Sequence, residues 1–373
     1  MNGHHHFFHF FNNRELNELY ISMAIRIFAL SLINIFVPIY LLQIGYSLKS
    51  VLIFYAVFNF AHAFSVLPAS KLAAKFGFKH AILFSVPLLI IVYLALYSIE
   101  TFNWPLYLIA IIFGINNSLF WMGYHVDFCK FSDGKHRGRQ VSMAHTVIRV
   151  FQVVGPLIGG LMLTLISFQS VFATVCVLLL ASTIPLFYSK DIHEPMRCTA
   201  RDVFRNQKLR DWLGFAGYGF ESAIGLTIWP IFIFFYILNN YTLLGLVSSI
   251  SLFFSLIVII MIGKFSDVNR RLVLKIGAVG TAIIWGIKAF VTTTFQVVIV
   301  DSFYGVTKTA LGIPFTALSY DKAHKNNMVR FIMFRETLIN FFKACLFVGL
   351  VFISDMIFTF LFGGIGAIMM FFF

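Results

Sequence analysis

The chain has 373 residues, 60% of them hydrophobic and only 12% charged, with a net charge of +13. Soluble domains carry about 25% charged residues, so an ordinary globular fold is excluded and a membrane protein is indicated. The basic excess clusters in alternate gaps between apolar runs, which reads as membrane orientation and not as nucleic-acid binding.

Residues 1–18 hold His4, His5, His6 and His9 among phenylalanines. They lack the charged, apolar and small-residue regions of a signal peptide, so an exposed end is expected. The histidines read as a polar tail or a tag remnant, with no metal assigned.

A hydrocarbon core about 30 Å thick needs roughly 20 apolar residues per helix. Twelve segments meet that need, numbered 1 to 12 in chain order. The first six are Leu19–Ile44, Lys49–Leu72, Lys79–Ser98, Trp104–Phe128, Gln140–Ile166 and Gln169–Ser189. The second six are Trp212–Leu238, Thr242–Phe265, Leu272–Val291, Phe295–Tyr320, Met328–Phe352 and Met356–Phe373. Barrel strands would alternate polar and apolar residues over about 10 positions, so these longer runs predict an all-α polytopic bundle.

Basic residues fall at Arg14, then Lys71, Lys75 and Lys79, then Lys130, Lys135, Arg137 and Arg139. Lys190, Arg197, Arg201, Arg205, Lys208 and Arg210 fill the longest gap, followed by Lys264, Arg270, Arg271 and Lys275, and by Lys322, Lys325 and Arg330. Basic residues stay cytoplasmic during insertion, which predicts an even number of crossings and both termini inside. A multi-pass protein of a prokaryotic plasma membrane, acting as a monomer, is expected. Cys129, Cys176, Cys198 and Cys345 form no Cys-x-x-Cys pair and are expected to be reduced.

The chain matches itself. Val37-Pro38-Ile39 meets Trp229-Pro230-Ile231 at an offset of 192, Gly77 meets Arg270 at 193, Phe113-Gly114-Ile115 meets Tyr304-Gly305-Val306 at 191, and Arg139 meets Arg330 at 191. Four matches in order at a nearly constant offset predict a duplication. Residues 19–189 and 212–373 are then two six-helix halves, joined by a cytoplasmic linker over 190–211.

Three motifs carry a resemblance to the major facilitator superfamily. The stretch between segments 8 and 9, with Gly263, Asp267, Arg270 and Arg271, resembles its Gly-x-x-x-Asp-x-x-x-Arg-Arg signature, read here as a loop. The stretch between segments 2 and 3, with Lys75, Gly77 and Lys79, resembles a degraded copy in which Ser70 and Ala74 replace Gly and Asp. Segment 5 carries Gly155-Pro156-Leu157-Ile158-Gly159-Gly160, similar to the family's Gly-Pro-x-x-Gly-Gly, most typical of antiporters. No basic residue follows Gly114 in segment 4, where drug exporters of the family usually carry Arg. The resemblance implies two pseudo-symmetric bundles, with segments 1, 4, 7 and 10 lining a central cavity and segments 3, 6, 9 and 12 facing lipid. It also implies that Asp267, Arg270 and Arg271 latch the inner side shut; Gly155, Gly159 and Gly160, small residues spaced to let helices touch, with Pro156 bending the segment, are expected to serve packing before function.

Ionisable residues within a bilayer are costly and mark candidate sites. Arg26 lies in segment 1, His62 in segment 2, Glu221 in segment 7, and Asp301 and Lys308 in segment 10. His145, Arg149 and Gln152 are spaced as one stripe of segment 5; the repeat carries them onto Glu336, Asn340 and Lys343 of segment 11, beside Arg335. Pseudo-symmetry predicts that the two stripes face one cavity. The other reading is that these residues only join helices within a half. Lys288 is expected to snorkel from the end of segment 9.

Glu221 is the expected proton carrier, since a carboxylate in such surroundings can take up and release a proton as the cavity opens to either side. Its alternative is an ion pair with Arg26 acting as a gate. Together these features predict a secondary active transporter of a small solute by alternating access, proton-coupled, possible as an antiporter or exporter. The cationic surplus within the segments hints at an anionic solute. Alternatives are a non-transporting sensor or scaffold, and a polytopic membrane enzyme. His125, Asp127 and Cys129 are the one reactive cluster, and their i, i+2 spacing spreads them around a helix. No ATP-binding P-loop and no cofactor motif is present in the sequence.

Overall fold

The computed structural model describes residues 14–131, 137–187, 199–205, 207–325, 327–353 and 355–373, helical nearly throughout. The N-terminal histidine cluster, Cys198 and much of the basic linker lie outside the described residues, as does the side chain of His145. Helix occupies each of the twelve predicted segments. Among the described residues, seven helices are long and apolar enough to cross a membrane, and Tyr20–Ser31 and Met356–Phe371 are shorter apolar helices.

Segments 2, 3, 4 and 5 are single helices, Leu48–Phe76, Phe78–Tyr97, Leu106–Phe131 and Arg137–Leu165. The turn between segments 2 and 3 is one residue long. Gly77, at φ 107° and ψ 153°, ends one helix and begins the next, a conformation that only a residue without Cβ adopts freely.

Segments 1 and 7 break at corresponding prolines. Arg14–Ser31 is interrupted before Val37–Gln43, which carries Pro38 in its first turn. In segment 7, Leu209–Ala223 passes through a π-helical turn at Ile224–Ile228 into Trp229–Ile233, with Pro230 in its first turn, and a second π turn follows at Phe234–Leu238. Proline has no N–H to donate and its ring crowds the preceding turn, so the chain unwinds or widens just ahead of it in both halves.

One expectation is corrected here. Segments 8 and 9 are two helices within Tyr241–Lys288 that meet at a single non-helical residue, Asn269 (φ −147°, ψ 83°), so the turn is far shorter than the loop expected. Asn269 accepts from the backbone N–H of Leu272 at 3.1 Å, so its side chain caps the second of these helices and the turn needs no further residues. Segments 10 and 11 are Thr294–Lys325 and Met328–Leu350, and Asn327 caps the latter through the Arg330 N–H at 3.0 Å.

Apolar burial gathers in two clusters. One, with Phe36, Tyr93, Phe172, Trp229 and Phe347, lies toward the end opposite the basic residues; the other, with Phe78, Phe128, Phe215, Tyr320 and Phe334, lies toward the basic end. Both draw on both halves. Most of the buried polar residues with intramembrane positions, including Asn59, His62, Asn116, Glu221, Ser222 and Asn340, fall in the sequence intervals between these clusters. The bundle therefore has a polar layer at mid-height between two apolar plugs.

The halves touch at both ends. At the basic end, Ser142 donates to the Ile259 carbonyl at 3.0 Å, and the Cys129 thiol lies 3.6 Å from His324 Nδ1. At the other end, the Thr164 and Thr242 hydroxyls are 2.9 Å apart, and Tyr55 packs on Phe347 with ring centroids 5.5 Å apart.

Candidate functional site

Two buried carboxylates, Glu221 between the apolar clusters and Glu336 at the inner margin of the basic-end cluster, have opposite allegiances. Glu221 is completely buried and is bound from its own half: the Tyr304 hydroxyl donates to Oε1 at 2.5 Å, and Lys308 forms an ion pair with Oε2. The pair considered with Arg26 is not formed. Arg26 stays inside the N-terminal half, where it reaches Ser85 Oγ at 3.4 Å and Asn116 Oδ1 at 3.5 Å and lies 3.9 Å over the Phe120 ring. Its hydroxyl partner belongs to segment 3 and its amide and aromatic partners to segment 4, so its charge is met by dipoles and a ring face within one half.

Glu336 is bound across the boundary. Arg335 Nη1 donates to it at 2.6 Å from the same helix, while His125 Nε2 lies 3.4 Å from Oε1 and His62 Nε2 lies 3.5 Å from Oε2. The amide of Asn117 is 3.2 Å from His62 Nδ1. An amide nitrogen can only donate, so Nδ1 accepts and the ring proton is left on Nε2, facing Glu336. The Tyr320 hydroxyl is 2.6 Å from His125 Nδ1, which adds a second contact between segments 4 and 10. His125 was placed by the sequence only in a reactive cluster. Its position on segment 4, a lining segment in the family resembled, was the available signal. The cluster itself does not assemble: His125 and Cys129, one turn apart, both turn toward segment 10.

The two stripes divide. Asn340 is buried and donates back to the Glu336 carbonyl at 2.8 Å, so it closes its own helix turn. Arg149, Gln152 and Lys343 are half-buried. Arg149 and Lys343 are near enough to Lys308 for their charges to act on it, and Tyr218 lies within reach of Arg149, Arg335 and Glu336. Lys308, with 27% of its side chain exposed, sits 5.8 Å from the Tyr218 ring centroid.

Lys288 corrects a second expectation. It does not snorkel, being fully buried with Nζ 2.9 Å from Asp301 Oδ1. Its ammonium lies 4.2, 4.5 and 3.7 Å from the ring centroids of Trp229, Trp285 and Tyr304. Trp229 donates its indole N–H to Asp301 Oδ2 at 2.9 Å. Aromatic faces and a carboxylate replace the hydration that a snorkelling lysine would seek. Segment 9 is thus tied inward to segments 7 and 10 by a residue whose sequence position alone suggested lipid.

At the basic end, Arg270 pairs with Asp267 at 3.5 Å and with Asp321, linking segment 8 to segment 10. In the first-half copy, Gly77 makes the turn, Lys75 lies 5.1 Å from the Phe76 ring centroid, and Lys79 is buried 3.8 Å from Glu18. The segment 5 motif packs closely on its neighbours: a side chain at Gly155 would strike the Ser31 side chain, at Gly159 the Leu32 carbonyl, and at Gly160 the Tyr241 carbonyl. Pro156 meets Gly245 of segment 8. Among the described residues no group of three or more metal-ligating side chains is present. Two peripheral cavities, of about 490 and 530 Å³, are lined by Trp212, Phe342 and Met369 and by Tyr236, Val291 and Asp355, away from the polar layer.

Paired six-helix halves around a charged mid-membrane layer define a polytopic membrane transporter, a class distinct from membrane enzymes. A model of the Major Facilitator Superfamily matches residues 19–341, and the chain belongs to that family. Its fold is similar to a variant of the fucose:proton symporter of E. coli (TM-score 0.70, 12% identity, covering 95% of this chain and 97% of that one). It is also similar to the human organic anion transporter MFSD10 (TM-score 0.71, 10% identity, 96% and 99%). A transporter of the same superfamily in the outward conformation aligns with TM-score 0.67, 12% identity, and coverage of 95% and 97%. A search of curated protein sequences finds no match.

Proposed function

We propose that the chain is a secondary active transporter that moves a small solute by alternating access and couples that movement to protons. The observation that carries the coupling is the junction at Glu336, where one carboxylate of the C-terminal half meets His62 and His125 of the N-terminal half. A titratable cluster split between two moving bodies has a different charge environment in each arrangement, so proton binding and rocking are linked. Glu221, the carboxylate favoured from the sequence, is held by Lys308 and Tyr304 of its own half. It therefore serves the solute side of the cycle, and Glu336 the proton side.

Alternating access follows from the same arrangement. The contacts at the two ends, Ser142 with Ile259 and Thr164 with Thr242, cannot both open together without splitting the halves. Segment 5 slides on segments 1 and 8 through glycines, which present backbone instead of interdigitated side chains. The basic end faces the cytoplasm in this reading.

The test is a comparison of Glu336→Gln and Glu221→Gln in proteoliposomes. Glu336→Gln is expected to keep solute exchange and lose accumulation driven by a pH gradient, whereas Glu221→Gln loses both. Full gradient-driven accumulation by Glu336→Gln overturns the assignment of coupling to this junction.

A further inference from the structure

The polar layer holds more positive charge than the protein neutralises. Lys308 has Glu221, and Arg335 has Glu336. Arg149 and Lys343 have no hydrogen bond or ion pair to any described residue, and the Arg149 Nε atom is buried without a partner. Both are in mid-segment, half-buried, and on opposite halves of the molecule. An uncompensated guanidinium and ammonium at that depth are costly, and such groups ordinarily pair.

Their neighbours leave room for a ligand instead of a protein acid. Arg149 and Lys343 both act electrostatically on Lys308, whose side chain is partly exposed and whose ammonium lies near Tyr218. Tyr218 in turn stacks on Phe315 at 5.2 Å, with the rings 3° from parallel, and so presents a fixed aromatic wall beside the cations. The three cations come from segments 5, 10 and 11, and two of them lie on the repeat-related stripes, Arg149 at the position equivalent to Asn340 and Lys343 at that equivalent to Gln152. With Glu221 counted against them, the group retains two unbalanced positive charges.

Resting on the transport reading above, we propose that Arg149, Lys343 and Lys308 form the binding site for a small organic dianion, held by carboxylate or phosphate oxygens. Arg149 supplies the planar fork that grips two oxygens, and the lysines supply point charges. Because Arg149 and Lys343 belong to different halves, the dianion is the counter-charge that lets them approach one another. The empty site repels itself, so bound solute favours the arrangement with the halves together.

Purified protein in detergent is tested by thermal unfolding with succinate against butyrate and succinamide, phenyl phosphate against phenol, and sulfate against chloride, at equal ionic strength. At least one organic dianion is expected to raise the unfolding temperature in a saturable manner, while the counterparts do not. Arg149→Gln and Lys343→Gln each weaken that apparent affinity roughly ten- to hundred-fold, the scale of one charged hydrogen bond. Arg149→Lys, which keeps the charge but not the fork, recovers only part of the affinity lost in Arg149→Gln and controls for misfolding. Binding of succinate signals a dicarboxylate and binding of phenyl phosphate a phosphomonoester. Response to sulfate alone marks an adventitious anion and overturns the proposal, as does no dianion response at all, or binding undiminished in both Gln variants. Counterflow of an uncharged solute that survives both Gln variants also overturns the anion site while leaving transport intact. Absence of flux of every solute in native protein that binds a dianion would instead strike the transport reading alone.

Discussion

His125 Nε2 and Glu336 Oε1 stand 3.4 Å apart on segments 4 and 11, one in each half of the molecule. That contact has to lengthen whenever the halves part at this height. Around it lie His62, Asn117, Tyr320, Tyr218, Arg335 and Lys343, so its strength depends on which imidazole carries a second proton. Acidification that charges either ring tightens its hold on Glu336. His62→Gln and His125→Gln are expected to flatten the pH profile of uptake, with the double variant little worse than the stronger single one. Rates in proteoliposomes across an external pH series measure this, and strictly additive effects would show that the rings act separately.

Lys288 and Asp301 are each other's counter-charge in an otherwise aromatic enclosure. Lys288→Met leaves a buried carboxylate unpaired and is expected to cost about 3–5 kcal/mol of stability. Lys288→Met with Asp301→Leu removes both charges and should recover much of that loss. Thermal unfolding of the two variants side by side is the measurement.

The hydroxyls of Thr164 and Thr242 touch across the end opposite the basic residues. Thr164→Cys with Thr242→Cys, once oxidised, should pin segment 5 to segment 8 and stop solute exchange, with recovery on reduction. Solute binding is expected to persist in the cross-linked protein. Exchange at full rate with the bond formed would mean that this end does not open during the cycle.

Gly77 adopts φ 107° in the one-residue turn between segments 2 and 3. Gly77→Ala should destabilise the protein by about 1–2 kcal/mol, since a Cβ there crowds the backbone. Gly286, which has open space around it, is the control and should tolerate alanine.

Asp202, in the short helix Ala200–Phe204 outside the membrane segments, accepts from the Thr199 N–H and hydroxyl, which hold its carboxyl below the usual range. A depressed folded-state value means that the cap is fully present above the ordinary carboxylate range and is lost as pH falls through the lowered value. Thr199→Ala should move that loss to higher pH, as read by amide exchange in this helix.

The segments, the duplication and the family were legible because each rests on local or periodic chemistry. An apolar run of helical length has few alternatives in lipid, and the offset between Pro38 and Pro230 survives as matching breaks in the two halves. The stripe at Arg149 and Lys343 was found because ionisable residues stand out against hydrocarbon. The partners were not legible. Lys288 looked like a snorkelling end, and only the approach of Trp229, Trp285 and Tyr304 from other segments turned it inward. The stretch from Gly263 to Arg271 looked like a loop because its composition is polar, yet one asparagine cap was enough to turn the helix.

Sequence alone determined that this chain crosses the bilayer as two related sets of helices, because hydrophobic length and charge placement act before any tertiary contact forms. Only the tertiary structure decided that Glu221 answers to Lys308 while Glu336 answers to the opposite half. Which charges meet depends on how helices distant in sequence rotate about their axes. That rotation is set by glycine contacts and aromatic packing between segments, which no local pattern encodes.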